Sequence, residues 1–183
     1  MKTRTYKYSG EEISLLGLGC MRLPVIEPGK PAIDEEKALA LVDTAYRRGI
    51  NYFDTAWFYH ERTSEAFMGK ALSRYPRDSF KLATKMPISI LEKAEDVPVI
   101  FAKQLENLQT DYFDFYLCHA LSASNFEKME AMGIYDFLKQ KKEEGVIKHL
   151  GFSFHDNADV LRTICDAHEW DFAQIQLNYL DHT

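Results

Sequence analysis

Four side chains of complementary chemistry close short apolar runs in this sequence. Run 51–54 ends in Asp54, with Tyr59 in the segment beyond. Run 80–84 is followed by Lys85, and run 113–118 by His119. A free phenol has a pKa of about 10 and is a weak acid at neutral pH. A neighbouring ammonium stabilises the phenolate. Lys85 extends a run apolar enough to be buried on both faces, and a lysine in such an interior needs a carboxylate, which Asp54 supplies. So equipped, Tyr59 donates a proton to a carbonyl oxygen as hydride reaches its carbon, or does the reverse in oxidation. A neutral His119 hydrogen-bonds the same oxygen and orients the substrate. Side chains supply no hydride, so the set implies a nicotinamide cofactor. Singly, each residue has a plainer reading: a turn cap at Asp54-Thr55, a packing tyrosine beside Trp57 and Phe58, a solvated lysine, a core histidine. The four together are far more specific than any one.

Bringing those ends to one rim takes a parallel sheet, in which sites collect at the carboxyl ends of strands. The chain alternates strand and helix patterns as such a sheet requires. Segments 5–8 and 12–14 flank Ser9-Gly10, a hairpin signal. Strands are expected over 15–19, 51–54, 80–84, 113–118, 147–152 and 172–177. Helices are expected over 35–48, 64–72, 94–108, 134–144 and 157–168. The first is capped by Asp34, carries Ala38, Leu41, Val42, Ala45 and Tyr46 on one face, and stops at Gly49. Six strands and five helices in one domain, 1–183, fit an open doubly wound sheet or part of a (β/α)8 barrel. As a barrel it is about three quarters of one, with its first and sixth strands as bare edges. Strand five ends in Ser153, and strand six carries Gln174.

Composition narrows the function further. The 183 residues carry a formal charge of −6, so nucleic-acid binding, which wants a basic face, is not expected. No apolar stretch approaches the roughly 18 residues of a membrane span, and the first residues lack the apolar core of a secretory signal. Cys20, Cys118 and Cys165 are scattered and odd in number, which reads as reduced thiols in a cytoplasmic protein. Gly17-Leu-Gly19-Cys-Met-Arg22 starts like a dinucleotide fingerprint but has arginine where the third glycine belongs.

Five segments carry a resemblance. They are Leu18-Gly-Cys-Met-Arg-Leu-Pro24, Gly49-Ile-Asn-Tyr-Phe-Asp-Thr-Ala-Trp-Phe-Tyr59, Leu82-Ala-Thr-Lys85, Leu108-Gln-Thr-Asp-Tyr-Phe-Asp-Phe-Tyr-Leu-Cys-His119 and Gly145-Val-Ile-Lys-His-Leu-Gly-Phe-Ser153. In order and spacing they resemble the aldo-keto reductases from about residue 12 to residue 180. The resemblance implies a (β/α)8 barrel that reduces aldehydes and ketones with NADPH, NADH being the other possibility. It implies a catalytic set of Asp54, Tyr59, Lys85 and His119. It also implies cofactor contacts at Gly19, Cys20, Met21, Asp54, Ser153 and Gln174, with Trp57 and Phe58 walling the substrate. Many members have asparagine after the serine, where this chain has Phe154 and then His155, so the second carboxamide contact is in question.

The family's last two strands carry most contacts to the pyrophosphate and the adenosine 2′-phosphate. The sequence is therefore expected to be an N-terminal portion whose isolated form binds NADPH weakly, reduces a small-molecule carbonyl poorly and self-associates through open sheet edges. Two other readings compete. A metal-dependent hydrolase would use His60, His119, His155 and Asp54, and does not explain Lys85. A non-catalytic, cofactor-sensing regulatory subunit would not need all four catalytic residue types.

Overall fold

The computed structural model describes residues 1–178 and 180. Six apolar runs form one parallel sheet whose strands neighbour one another in chain order: β3 (Leu18–Gly19), β4 (Tyr52–Asp54), β5 (Lys81–Met86), β6 (Phe113–Leu121), β7 (Ile147–Phe154) and β8 (Phe172–Ile175). β1 (Thr3–Thr5) and β2 (Glu12–Ser14) form a separate antiparallel hairpin. The helices are α1 (Glu35–Arg47), α2 (Ser64–Leu72), α3 (Asp96–Leu108), α4 (Ala123–Ala131), α5 (Ile134–Glu143) and α6 (Ala158–Ala167). Among the described residues, no helix is long and apolar enough to cross a membrane.

The sheet is curled into a half-barrel. Rings from alternate strands meet on its inner side: Tyr52 of β4 lies 5.1 Å from Phe115 of β6, which lies 5.2 Å from Phe172 of β8. Such layers fill barrel interiors. Gly151 of β7 makes room for this layer. A Cβ there would stand 2.4 Å from the Phe172 carbonyl oxygen and 2.7 Å from its ring. The hairpin is tied to the sheet: Lys81 pairs with Glu11, and Tyr6 lies edge-on to Phe115 and His149. The larger core lies on the outer face, where Leu82, Met86, Tyr116 and Phe152 meet helix residues including Phe67, Phe101 and Leu138.

Local chemistry sets the helix ends. Asp34 accepts from the Lys37 backbone N–H at 3.2 Å and starts α1, and Gly49 stops it in a left-handed conformation (φ 84°). Asn157 caps α6 by accepting from the Asp159 and Val160 N–H groups.

Three expectations are corrected. Among the described residues there are six α-helices, not five. α4 is polar, and Met129 is its one buried residue, so its apolar stripe is too thin to read; Ser122 caps it and Gly133 separates it from α5. The first sheet strand is shorter than 15–19: Leu15 and Leu16 are exposed, and pairing begins at Leu18. The first hairpin strand is 3–5 rather than 5–8, because the turn starts at Tyr6, whose carbonyl accepts from the Ser9 and Gly10 N–H groups.

Gly151→Ala is expected to lower unfolding free energy by about 1–3 kcal/mol through overpacking against β8. A shifted urea midpoint at unchanged slope checks this.

Candidate active site

Strand alternation puts Asp54 and Lys85 on the inner side, above the aromatic layer. Lys85 is 2% exposed. Its Nζ donates to Asp54 Oδ1 at 2.6 Å, to the Thr55 carbonyl oxygen at 2.7 Å and to the Tyr59 hydroxyl oxygen at 3.4 Å. All three ammonium protons are thus engaged. Thr55 is held in turn: its N–H donates to the Ala83 carbonyl, and its hydroxyl lies 2.9 Å from that of Ser64. The sequence did not reveal Thr55 as a partner of Lys85, because the group involved is a backbone carbonyl.

Tyr59 follows β4 in a short loop, and the next three residues, His60, Glu61 and Arg62, all have left-handed φ values of 51°, 51° and 71°. Such a turn is strained for residues with a Cβ. It is closed by N–H bonds from Arg62 and Ser64 to the Tyr59 carbonyl and fastened by the His60 ring. His60 Nε2 accepts from the Leu23 N–H at 3.1 Å, and its Nδ1 lies 2.9 Å from the Pro31 carbonyl oxygen. Both ring nitrogens of His60 are engaged, so it does not join His119, His155 and Asp54 in the ligand set a metal-dependent hydrolase would use. Among the described residues, no group of three or more metal-ligating side chains comes together.

His119 stands near the end of β6, its ring edge-on to Tyr59 at 6.1 Å and 5.9 Å from that of Phe58. A bulge between Cys118 and Leu121 redirects the strand there, with Ala120 left-handed (φ 52°). The bulge turns the Ala120 N–H onto Ser153 Oγ at 2.7 Å. Burial first, then the Lys85 charge and then His155, push the His119 imidazole down to about 4. It is neutral at physiological pH, and its Nδ1 is buried without a hydrogen-bond partner among the described residues.

A cleft of about 110 Å³ joins Tyr59, Lys85, His119, Ser153, His155 and Gln174. Ser153 and Gln174 are register partners on adjacent parallel strands. Asp54 Oδ2 is buried and unpartnered among the described residues, an acceptor awaiting a donor. A nicotinamide nucleoside, with a carboxamide and ribose hydroxyls, fits these groups. Phe154 is buried and packs on Phe152 in the outer core, so the position after Ser153 gives the cleft no side chain; His155 lines it instead.

Of the other expected residues, Gly19 pairs with Asp54 at the end of β3, and Met21 is exposed beyond it. The Cys20 side chain is fully buried in the outer core, where desolvation pushes its thiol up. It can offer a cofactor only backbone. Phe58 faces His119, whereas Trp57 also lines a separate apolar groove with Pro98, Val99 and Ile100.

The imidazole also carries a stability consequence. The unfolded chain protonates His119 near its ordinary value of 6.5, the folded chain only near 4. Acidification through that window favours the unfolded state, by about 3 kcal/mol when complete. His149, also pushed down by burial, acts in the same direction. His119→Asn is expected to flatten the fall in unfolding free energy between pH 6.5 and 4, read by denaturant titration across that range.

Comparison with known proteins follows the same lines. The family model described as "Aldo/keto reductase family" matches residues 15–182. A Glycine max protein named "Probable aldo-keto reductase 1" is 31% identical over 175 residues, covering 91% of this chain and 49% of that protein. L-galactose dehydrogenase from Arabidopsis thaliana is 31% identical over 159 residues, covering 84% of this chain and 48% of that protein. Among solved structures, the holo form of an aldo-keto reductase from Bacillus halodurans superposes with a TM-score of 0.76 at 30% identity, over 97% of this chain and 58% of that one. An aldo/keto reductase from Brucella melitensis gives 0.68 at 29% identity, over 96% and 63%. The chain spans about half the length of the curated relatives it matches. With the family model covering nearly all of it and the half-barrel shared, this chain belongs to the aldo/keto reductase family.

Proposed function

We propose that this chain carries the proton-transfer site of a nicotinamide-dependent carbonyl reductase. The observation that carries the reading is the grip on Lys85, whose ammonium contacts a carboxylate on one side and the Tyr59 hydroxyl oxygen on the other. Tyr59 gives its proton to the substrate carbonyl oxygen. Positive charge at Lys85 then lies beside the phenolate left behind, and Asp54 keeps that charge in place. His119, neutral at working pH, hydrogen-bonds the same oxygen without competing as the proton donor. Ser153 and Gln174 would hold the carboxamide, and Asp54 Oδ2 a ribose hydroxyl. A bound nicotinamide supplies hydride to the carbonyl carbon.

NADPH is the proposed form, on the strength of the family, with NADH its competitor. The substrate is an aldehyde or ketone with enough apolar bulk to meet Phe58. Cys20, Cys118 and Cys165 are all free thiols, which supports a reducing compartment such as the cytoplasm.

Tyr59→Phe is expected to lower kcat for carbonyl reduction about 10²–10⁴-fold while cofactor affinity, read by fluorescence titration, stays intact. Lys85→Met is expected to lower activity similarly and to cost about 3–5 kcal/mol of stability, because it leaves Asp54 as an unpaired buried charge. Undiminished reduction by Tyr59→Phe would falsify the reading. Activity lost to a chelator and restored by a divalent metal would favour the hydrolase instead.

A further inference from the structure

Behind the active site, on the outer face of β5, lies a second buried carboxylate. Glu65, in the first turn of α2, is 1% exposed. A buried carboxylate is costly unless its oxygens are engaged, and three side chains engage these. Thr84 Oγ1 donates to Glu65 Oε1 at 2.6 Å, Gln104 Nε2 donates to the same oxygen at 2.6 Å, and Asn107 Nδ2 donates to Oε2 at 3.4 Å. Gln104 also donates to the Lys85 carbonyl oxygen at 3.0 Å, and its own oxygen accepts from the Tyr116 hydroxyl at 2.5 Å. Thr84 is the residue immediately before Lys85, and strand alternation sends their side chains to opposite faces. The network therefore fastens the backbone of the very residue whose ammonium holds Tyr59.

All three donors to Glu65 are neutral, so hydrogen bonding alone does not call for a charged residue here. A glutamine would satisfy most of the same geometry, and buried charges are often no more stabilising than their neutral or apolar replacements. The charge has an electrostatic counterpart, however. Burial pushes the Glu65 carboxyl up, while its three donors and the Lys85 ammonium pull the other way. Lys85 thus feels carboxylates from both faces of the sheet. The titratable groups coupled to it are Asp54 from β4, Tyr59 from the following loop, His119 from β6 and, from the outer face, the Cys20 thiol beyond β3 and Glu65 of α2.

We propose that Glu65 is a positioning residue for proton transfer: through Gln104 and Thr84 it fixes the Lys85 backbone, and its charge steadies the ammonium from the far side of β5. This inference rests on the proposed proton-transfer role of Lys85 and Tyr59. The full-length protein carrying E65Q is expected to lose about tenfold in kcat for NADPH-dependent carbonyl reduction at unchanged KM. The alkaline limb of its kcat profile is expected to move down by about half a pH unit, since loss of a nearby negative charge favours deprotonation. E65D keeps the charge but draws it away from Gln104, so kcat falls with the limb in place. The 13C′ resonance of Lys85, whose carbonyl oxygen accepts from Gln104, reads the positioning without turnover and is expected to shift in E65Q. Folded E65Q with kcat, alkaline limb and the Lys85 13C′ resonance all unchanged overturns the proposal, whatever its melting temperature. Should E65Q fail to fold, T84V decides: kcat lowered at constant KM supports the role, and unchanged kcat overturns it. If the wild-type protein reduces no carbonyl compound while the Lys85 13C′ resonance still shifts in E65Q, the proposed reaction falls and the positioning of the Lys85 backbone by Glu65 stands.

Discussion

A buried ammonium is the constraint around which this half of a barrel is organised. Lys85 sits at the end of a strand whose residues are all buried. Its charge is tolerable there because three acceptors converge on it from β4 and the segment that follows. That convergence sets demands on everything nearby. β4 must lie in register with β5, so that Asp54 falls beside Ala83 and its carboxylate reaches Nζ. Thr55 must turn its carbonyl inward, which its own bonds to Ala83 and Ser64 enforce. The aromatic layer below must be filled so that water does not reach the pair from beneath, and Gly151 yields the space for that layer.

Burial and the same charge together set the polar groups of the cleft apart. An imidazole largely removed from water and close to an ammonium loses its proton readily, so His119 is a neutral hydrogen-bonding group. The phenol that touches the ammonium is the proton donor of the proposed reaction. The bulge at Ala120 completes the arrangement by aiming a backbone N–H at Ser153, which joins the histidine strand to the strand carrying the expected carboxamide contact.

Much of this was legible in the sequence, because strand ends in a parallel sheet announce themselves as apolar runs closed by a polar residue. Asp54, Lys85, His119 and Ser153 all follow that rule, and Gln174 emerges from strand pairing. What stayed hidden has physical causes. Helix α4 buries too little to leave a periodic stripe. The Thr55 carbonyl is a backbone atom and has no residue signature. Glu65, Gln104 and Asn107 sit where polar residues normally mark a solvated helix face, and only the close approach of α2 and α3 buries Glu65 and Gln104. Gly69 permits that approach, for a Cβ there would stand 2.3 Å from the Asn107 carbonyl oxygen. At Cys20, sequence position beside the rim did not tell which way the side chain points, and it is buried in the outer core.

The left-handed run from His60 to Arg62 has a consequence for how this scaffold can diversify. The segment between Tyr59 and α2 is one tight turn, closed on itself and pinned through His60 to the backbone at Leu23 and Pro31. Adding or deleting a residue there would swing the phenol away from the ammonium and detach the turn from its anchor at once. Length in this connection is therefore frozen. If the proposed function holds, new substrate preferences would have to arise in other connections, leaving this turn as the fixed datum from which the cleft is measured.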